Sequence, residues 1–131
     1  MVRALAALTR TAAEARTARA RELALAAVNL VSRDPQLSLL LAVEAVQVTY
    51  PADGTWMPEA EAALRQALAA LGVPPAGVAT MDDLLALARS RAARSLTHDE
   101  CRQYLHVEAC PKQGRPARRP NLVYRSRLPR L

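Results

Sequence analysis

Asp34-Pro-Gln-Leu-Ser-Leu-Leu-Leu-Ala-Val-Glu-Ala-Val-Gln-Val-Thr-Tyr-Pro51 is the stretch that decides the fold. Asp34 brings a side-chain oxygen suited to a helix N-cap. Pro35 suits the first helical position, where the missing N–H has no partner to lose. Leu37, Leu40, Leu41 and Val48 then share one side of a helix. Tyr50-Pro51 predicts a stop near Thr49, because the residue before a proline is pushed out of the helical region. Ala52-Asp53-Gly54 reads as a loop. The apolar run Leu37–Val46 is interrupted by Glu44 and falls short of the ~18 to 20 residues that a membrane span requires.

Upstream, residues 3–32 form an Ala/Arg/Leu segment without internal Pro or Gly, read as one long helix. Its first part, residues 1–20, presents mostly Ala and is expected to project. Its second part, Leu23–Val31, is nearly continuously apolar and is expected to be buried. Downstream, Pro58 opens a third helix with Glu59 and Glu61 in the first turn, where the helix dipole favours acids. Ala60, Ala63, Leu64, Ala67, Leu68 and Leu71 recur at helical spacing, and Gly72 supplies the stop. Residues 73–79 read as a linker. Thr80 caps a fourth helix, with Asp82 and Asp83 in its first turn and Arg89, Arg91 and Arg94 about its end. Thr97 with Glu100 forms a capping box for a short fifth helix ending near His106. Beyond Cys110-Pro111, Gly114, Pro116, Pro120 and Pro129 predict a disordered segment.

Composition supports the same class. About a fifth of the 131 residues are Ala, aromatics are 3%, and Phe is absent, so helices must pack closely through small side chains. Sheet proteins, disulfide-dense scaffolds and mostly disordered chains do not have this composition. The expectation is an all-α fold. It is a small irregular bundle of about five helices, with a long N-terminal helix and a disordered basic C-terminal tail. The expected organisation is a projecting helix over 1–20, a bundle core over 21–72, a linker over 73–79, a helical hairpin over 80–111 and the tail over 112–131.

The net charge of +6 is uneven: +4 over residues 1–33, −5 over 34–111 and +7 over 112–131. The first residues carry Arg10, Glu14, Arg16 and Arg19 where a signal peptide would place its apolar stretch, so a cytoplasmic protein is expected.

Two stretches resemble a known family. Arg21-Glu-Leu-Ala-Leu-Ala-Ala, the run from Asp34 quoted above and Pro58-Glu-Ala-Glu-Ala-Ala-Leu-Arg-Gln-Ala-Leu resemble the helical segment of large actinobacterial STAND-type NTPase/WD-repeat signalling proteins. In those proteins it lies between the NTPase region, with its membrane helix, and the propeller. Asp83-Leu-Leu-Ala-Leu-Ala-Arg-Ser-Arg and Arg94-Ser-Leu-Thr-His-Asp-Glu-Cys-Arg-Gln-Tyr-Leu-His-Val-Glu-Ala-Cys-Pro resemble the sequence that closes the same proteins after the propeller. A similar ending occurs on some bacterial transcriptional activators and cyclase-like proteins. This sequence has no Gly-x-x-x-x-Gly-Lys-Ser/Thr phosphate loop and no Trp-Asp repeats, and it carries His98 where the family commonly has Pro. The resemblance implies a non-enzymatic interaction or regulatory module, stand-alone or the remainder of a deletion.

His98, Cys101, His106 and Cys110 have a spacing close to a zinc knuckle, His-x2-Cys-x4-His-x3-Cys. On one helix His106 falls more than a turn beyond Cys101, so a tetrahedral site would need a break near Tyr104. No metal and no cofactor are assigned. For Cys101 and Cys110 two states stay open. A helix rising ~7 to 8 Å and four extended residues returning permit a disulfide, and buried free thiols are the default for such a pair. Cys101 beside His98 or His106 lacks an orienting third group and an oxyanion hole, so no catalysis is assigned and a small-molecule substrate is not expected. Tyr104 and Leu105 are expected to pack on the fourth helix, and Glu44 to sit at the solvated edge of its face, with a buried pairing to Arg65 or Arg21 as the alternative. Leu5, Leu8 and Trp56 are candidate interface residues, with a loop anchor as the other role for Trp56. The expected partner is another protein or a second copy. The alternative is a nucleic-acid-binding or transcription-regulatory protein that places Arg115, Arg118, Arg119, Arg125, Arg127 and Arg130 on phosphates or an acidic surface.

Overall fold

The computed structural model describes residues 2–111, with side chains from Thr11 onward. The described residues form α1 (Val2–Leu30), α2 (Pro35–Asp53), α3 (Pro58–Ala70), α4 (Met81–Arg91) and a short α5 (His98–Glu100) that continues into a π-helical turn over Cys101–Leu105. No strand occurs among them. The fold is all-α, a small helical bundle. The tail over 112–131 lies outside the described residues.

α2 is the axis. Every residue from Leu37 to Val46 is buried, and Thr49 is buried beyond them. The one-sided face expected from Leu37, Leu40, Leu41 and Val48 is thus corrected to burial all round. Leu39 and Leu41, which point in different directions, are both fully enclosed. α1 covers one side of α2 and runs antiparallel to it: Ser38 donates to the Ala27 carbonyl at 2.7 Å near one end, and Arg16 meets Asp53 at the other. The residues 54–57 turn the chain back so that α3 packs on both α1 and α2. α4 runs back along α2. The Tyr50 hydroxyl donates to Asp82 at its start, and Gln36 joins the Arg91 carbonyl and the Ala93 N–H at its end. Met81, Leu84, Leu85, Ala88, Leu96, Cys101 and Leu105 join the same core cluster as Leu23, Leu41 and Leu64.

The seams are made of alanine. Ala20, Ala24 and Ala27 on α1 and Ala60, Ala63 and Ala67 on α3 are all at most 1% exposed. Small side chains bring helix backbones close, and each contributes little buried area. The expectation that Leu23–Val31 is buried holds only for Leu23, Ala24 and Ala27: Leu25 is 63% exposed and Val28 37%, Asn29 is exposed too, and Ala26, Leu30 and Val31 are half-buried. α1 lies at the edge of the bundle and offers one stripe inward, so residues on its outer side stay in solvent.

The helix ends follow the local chemistry. Asp34 accepts from the Leu37 N–H, Thr80 from the Asp83 N–H, and Thr97 with Glu100 closes a capping box. Gly72 at φ 81 and Val73 close α3 in a Schellman motif, with Val73 N–H on the Leu68 carbonyl at 2.9 Å. α2 does not stop at Tyr50-Pro51. Pro51 sits inside its last turn, and the helix runs to Asp53, closed by Gly54 at φ 72 with its N–H on the Tyr50 carbonyl. A proline there deletes only one intrahelical bond, and Arg16 anchors the end of the turn through Asp53. Contacts on α1 also begin earlier than the expected boundary at residue 20. Arg16 and Arg19 are both bonded and Ala20 is fully buried. α1 has 29 residues and α2 has 19, about 44 and 28 Å of helix, so only the N-terminal turns of α1 extend past the end of α2.

Leu41 is fully buried at the centre of α2. Leu41→Ala is expected to lower unfolding stability by about 3 kcal/mol or more through lost transfer energy and a residual cavity. Leu25→Ala is expected to change it by less than ~0.5 kcal/mol. Urea denaturation of both variants checks the contrast.

Candidate functional site

Two places hold residues singled out by sequence, the loop around Trp56 and the Cys/His segment that follows α4, and the outer flank of α1 adds a third. On α1, Ala13, Glu14, Thr17, Ala18 and Arg21 line a shallow open groove. Glu14, Ala18, Arg21, Leu25 and Val28 follow one another at steps of four and three, so they share one flank of the helix. Arg21 reaches from that flank to Glu59 on α3 at 3.3 Å, and its side chain remains 56% exposed. The side chains of Leu5 and Leu8 lie outside the described residues. So do Arg115, Arg118, Arg119, Arg125, Arg127 and Arg130.

Trp56 is committed internally. Its ring meets Tyr50 edge-on at 5.3 Å between centroids, and its indole N–H donates to Glu61 at 2.9 Å. Glu61 also accepts from Arg65 at 2.9 Å, and Arg65 donates onward to the carbonyls of Pro75 and Val78 at 3.3 Å. These contacts are those of the loop anchor expected for Trp56, whose ring stays half-buried. Residues 73–79, expected to be a linker, are clamped onto α3 by Arg65, and Val73 and Val78 pack against the core. Glu44 is 8% exposed, inside the bundle rather than on a solvated edge. Arg65 and Arg21, the partners named for a buried Glu44, form ion pairs with Glu61 and Glu59.

Cys101 and Cys110 are joined in a disulfide with Cα atoms 5.5 Å apart, so the buried-free-thiol alternative is replaced. Cys101 is fully buried, but Cys110 is exposed. A pair of buried thiols would have needed both to lie inside. The π turn bends the chain between them. His106 adopts φ 58 and its N–H closes on the Cys101 carbonyl. The segment also reaches α1, while Leu105 belongs to the core cluster that holds Leu84, Leu85 and Ala88 of α4 and Tyr104 packs against that cluster. Arg19 donates to the Leu105 carbonyl, and His106 Nε2 lies 3.1 Å from Glu22. His98 turns the other way, toward the Glu108 carbonyl. The four candidate ligands are thus dispersed, and among the described residues no group of three or more His, Cys, Asp or Glu side chains could hold a metal ion. No free thiol remains among them. Arg94, assigned by sequence to the end of α4, lies beyond it. It grips Glu100 at 2.8 and 3.0 Å and donates to the Ser95 carbonyl.

Three carboxyls are held below the ordinary range for their kind. The hydrogen bond from Arg16 does this for Asp53. For Glu61 the Trp56 N–H acts first and Arg65 second, and for Glu100 the leading cause is Arg94. Asp82, accepting from the Tyr50 hydroxyl, pushes that phenol upward. Sequence reasoning missed Arg16, Arg19 and Arg65 as organisers. Each acts on a residue or carbonyl far along the chain, or through a loop whose path the spacing does not reveal.

No family model, curated protein or solved structure matches this chain. No described helix is long and apolar enough to cross a membrane.

A carboxyl whose folded pKa is depressed binds fewer protons folded than unfolded. Its stabilisation is full above the ordinary carboxylate range and is lost as pH falls through the folded value. Urea stability is therefore expected to be flat near neutrality and to fall below about pH 4. Glu61→Gln and Glu100→Gln should each make that fall shallower, with Glu100→Gln retaining the capping-box geometry. An unchanged acid slope in both variants would count against the assignment.

Proposed function

We propose that the chain is a non-enzymatic protein-interaction module that docks through the outer flank of α1. The docked partner is a second copy of the chain. The observation that carries this is the exposure of Leu25 and Val28 on a helix whose opposite side holds the core. Large apolar side chains in a row on one open flank are more characteristic of a docking face than of a solvated one. The flank is also self-complementary. A second α1 laid antiparallel on it, with the two-fold between Leu25 and Val28, sets Leu25 of each copy against Val28 of the other. The resemblance to the helical segments flanking the propeller of STAND-type NTPase/WD-repeat signalling proteins supports a role in signalling assemblies. The fates of Cys101, His98 and His106 give a catalytic reading no nucleophile paired with a base.

Light-scattering mass across a concentration series, at low and high salt and with a nonspecific DNA duplex, tests the proposal. The expected result is a dimer that persists at high salt, ignores the duplex, and becomes a folded monomer on Leu25→Glu. Apolar seams vary little with salt, whereas contacts to phosphate weaken steeply. A monomer at every concentration whose mass rises only with duplex at low salt overturns it. That outcome favours a nucleic-acid role for the arginine-rich residues 112–131.

A further inference from the structure

The disulfide offers a second feature, independent of the docking flank. It joins a fully buried sulfur, on the π turn, to an exposed residue at the end of the segment 106–110. That segment closes over α1 through few contacts. His106 lies against Glu22, Arg19 holds the Leu105 carbonyl, and the Glu108 carbonyl meets His98. The N–H groups of His106 and Val107 both end on the Cys101 carbonyl, Val107 at 3.4 Å. His106, Glu108, Ala109 and Cys110 are exposed, and Val107, half-buried, is the one residue of the segment that packs against the core cluster. The sequence that follows Pro111 carries Lys112 and six Arg with no acid, so Cys110 is the last covalent fastening before a charge of +7.

We propose that Cys110 is a thiol–disulfide exchange site, through which a dithiol reductant unfastens residues 106–110 from α1 while the bundle stays folded. The chemistry balances without any group beyond the dithiol. One thiolate of the reductant attacks Cys110 Sγ, the accessible end. The S–S bond breaks, its electron pair goes to Cys101 Sγ, and that sulfur takes up a proton. The second thiolate of the reductant then attacks its own sulfur in the mixed disulfide and expels the Cys110 thiolate, which is protonated in turn. Two electrons and two protons pass to the protein, and the dithiol becomes a disulfide.

Each product thiol has a place to go. Cys101 is enclosed beside Leu96 and Leu105 in the core cluster, where a neutral thiol packs as a small apolar side chain. Cys110 Sγ lies 3.5 Å from the Thr97 carbonyl and 3.7 Å from the Leu96 carbonyl, weak acceptors for a thiol. Reduction therefore removes the tether without opening a cavity in the core. α2 and α3 are not attached to the segment by any of the contacts named above. The asymmetry of the pair gives the direction of attack: reagents meet Cys110, and Cys101 is reached only by opening of the bundle.

The test uses the full chain, oxidised in air and then treated with dithiothreitol without denaturant. Free-thiol counting, alkylation mapping and amide hydrogen exchange are read on the same samples. The oxidised protein is expected to show no free thiol. After reduction, alkylation should fall on Cys110 at least tenfold faster than on Cys101. The His106 and Val107 amides should lose at least tenfold in protection, while those of α2 and α3 keep theirs. Cys110→Ser should reproduce the same local loss without reductant, and should leave Cys101 slow to alkylate. Two free thiols in the oxidised protein overturn the proposal. So does a bond that dithiothreitol reaches only in denaturant, or protection that falls in α2 together with the segment. Unchanged protection at His106 and Val107 after reduction overturns it as well.

Discussion

The burial of Leu37–Val46 on every side is the constraint from which the remaining structure follows. A helix with one apolar stripe is satisfied by one neighbour, but a helix buried through almost three consecutive turns needs several. α1 and α3 cover two sides with alanine seams. The remaining side falls to α4, which runs the length of α2 from Gln36 to Tyr50, and to Leu96, Cys101 and Leu105 beyond it. Residues 80–105 are therefore part of the core that α2 requires, and α4 is no separate appendage.

Alanine seams hold helices close but supply little area per contact, so the ends of the helices carry much of the specificity. Arg16 ties α1 to the last turn of α2, Arg65 ties α3 to residues 75 and 78, and Arg94 ties α5 to the loop before it. All three use the planar, multi-donor guanidinium, which can satisfy a carboxylate and a carbonyl together where lysine would act as a point charge. Such half-exposed pairs contribute modestly to stability. Their larger effect is on register and on the path of the connecting segments. The outer flank of α1 and the segment 106–110 lie outside this framework, and both carry the proposed functional features.

Much of the helical framework was legible because caps and periodicity agree. Asp34-Pro35, Pro58, Gly72, Thr80 and the Thr97/Glu100 box all mark true boundaries. Tyr50-Pro51 misled because a proline in a last turn loses one bond only, and the true stop is Gly54, three residues on. The depth of burial was not legible. The sequence around Leu39 and Glu44 is compatible with one covered face or with all of them, and the difference depends on how many other helices arrive. For the same reason Leu25 and Val28 could not be told from Leu23 and Ala27. The Arg65 clamp ends on backbone carbonyls, which have no residue identity to read. The pairing of Cys101 with Cys110 was open because spacing permits the bond without requiring it.

Native-state hydrogen exchange across a denaturant series tests most directly whether α2 organises one cooperative core. The account predicts that the slowest amides of α1, α2, α3 and α4 share a single opening free energy, equal to that of global unfolding. Loss of protection over Leu84–Ala88 at low denaturant, with α1 to α3 still closed, would contradict it, because α2 would then be stable with one face uncovered.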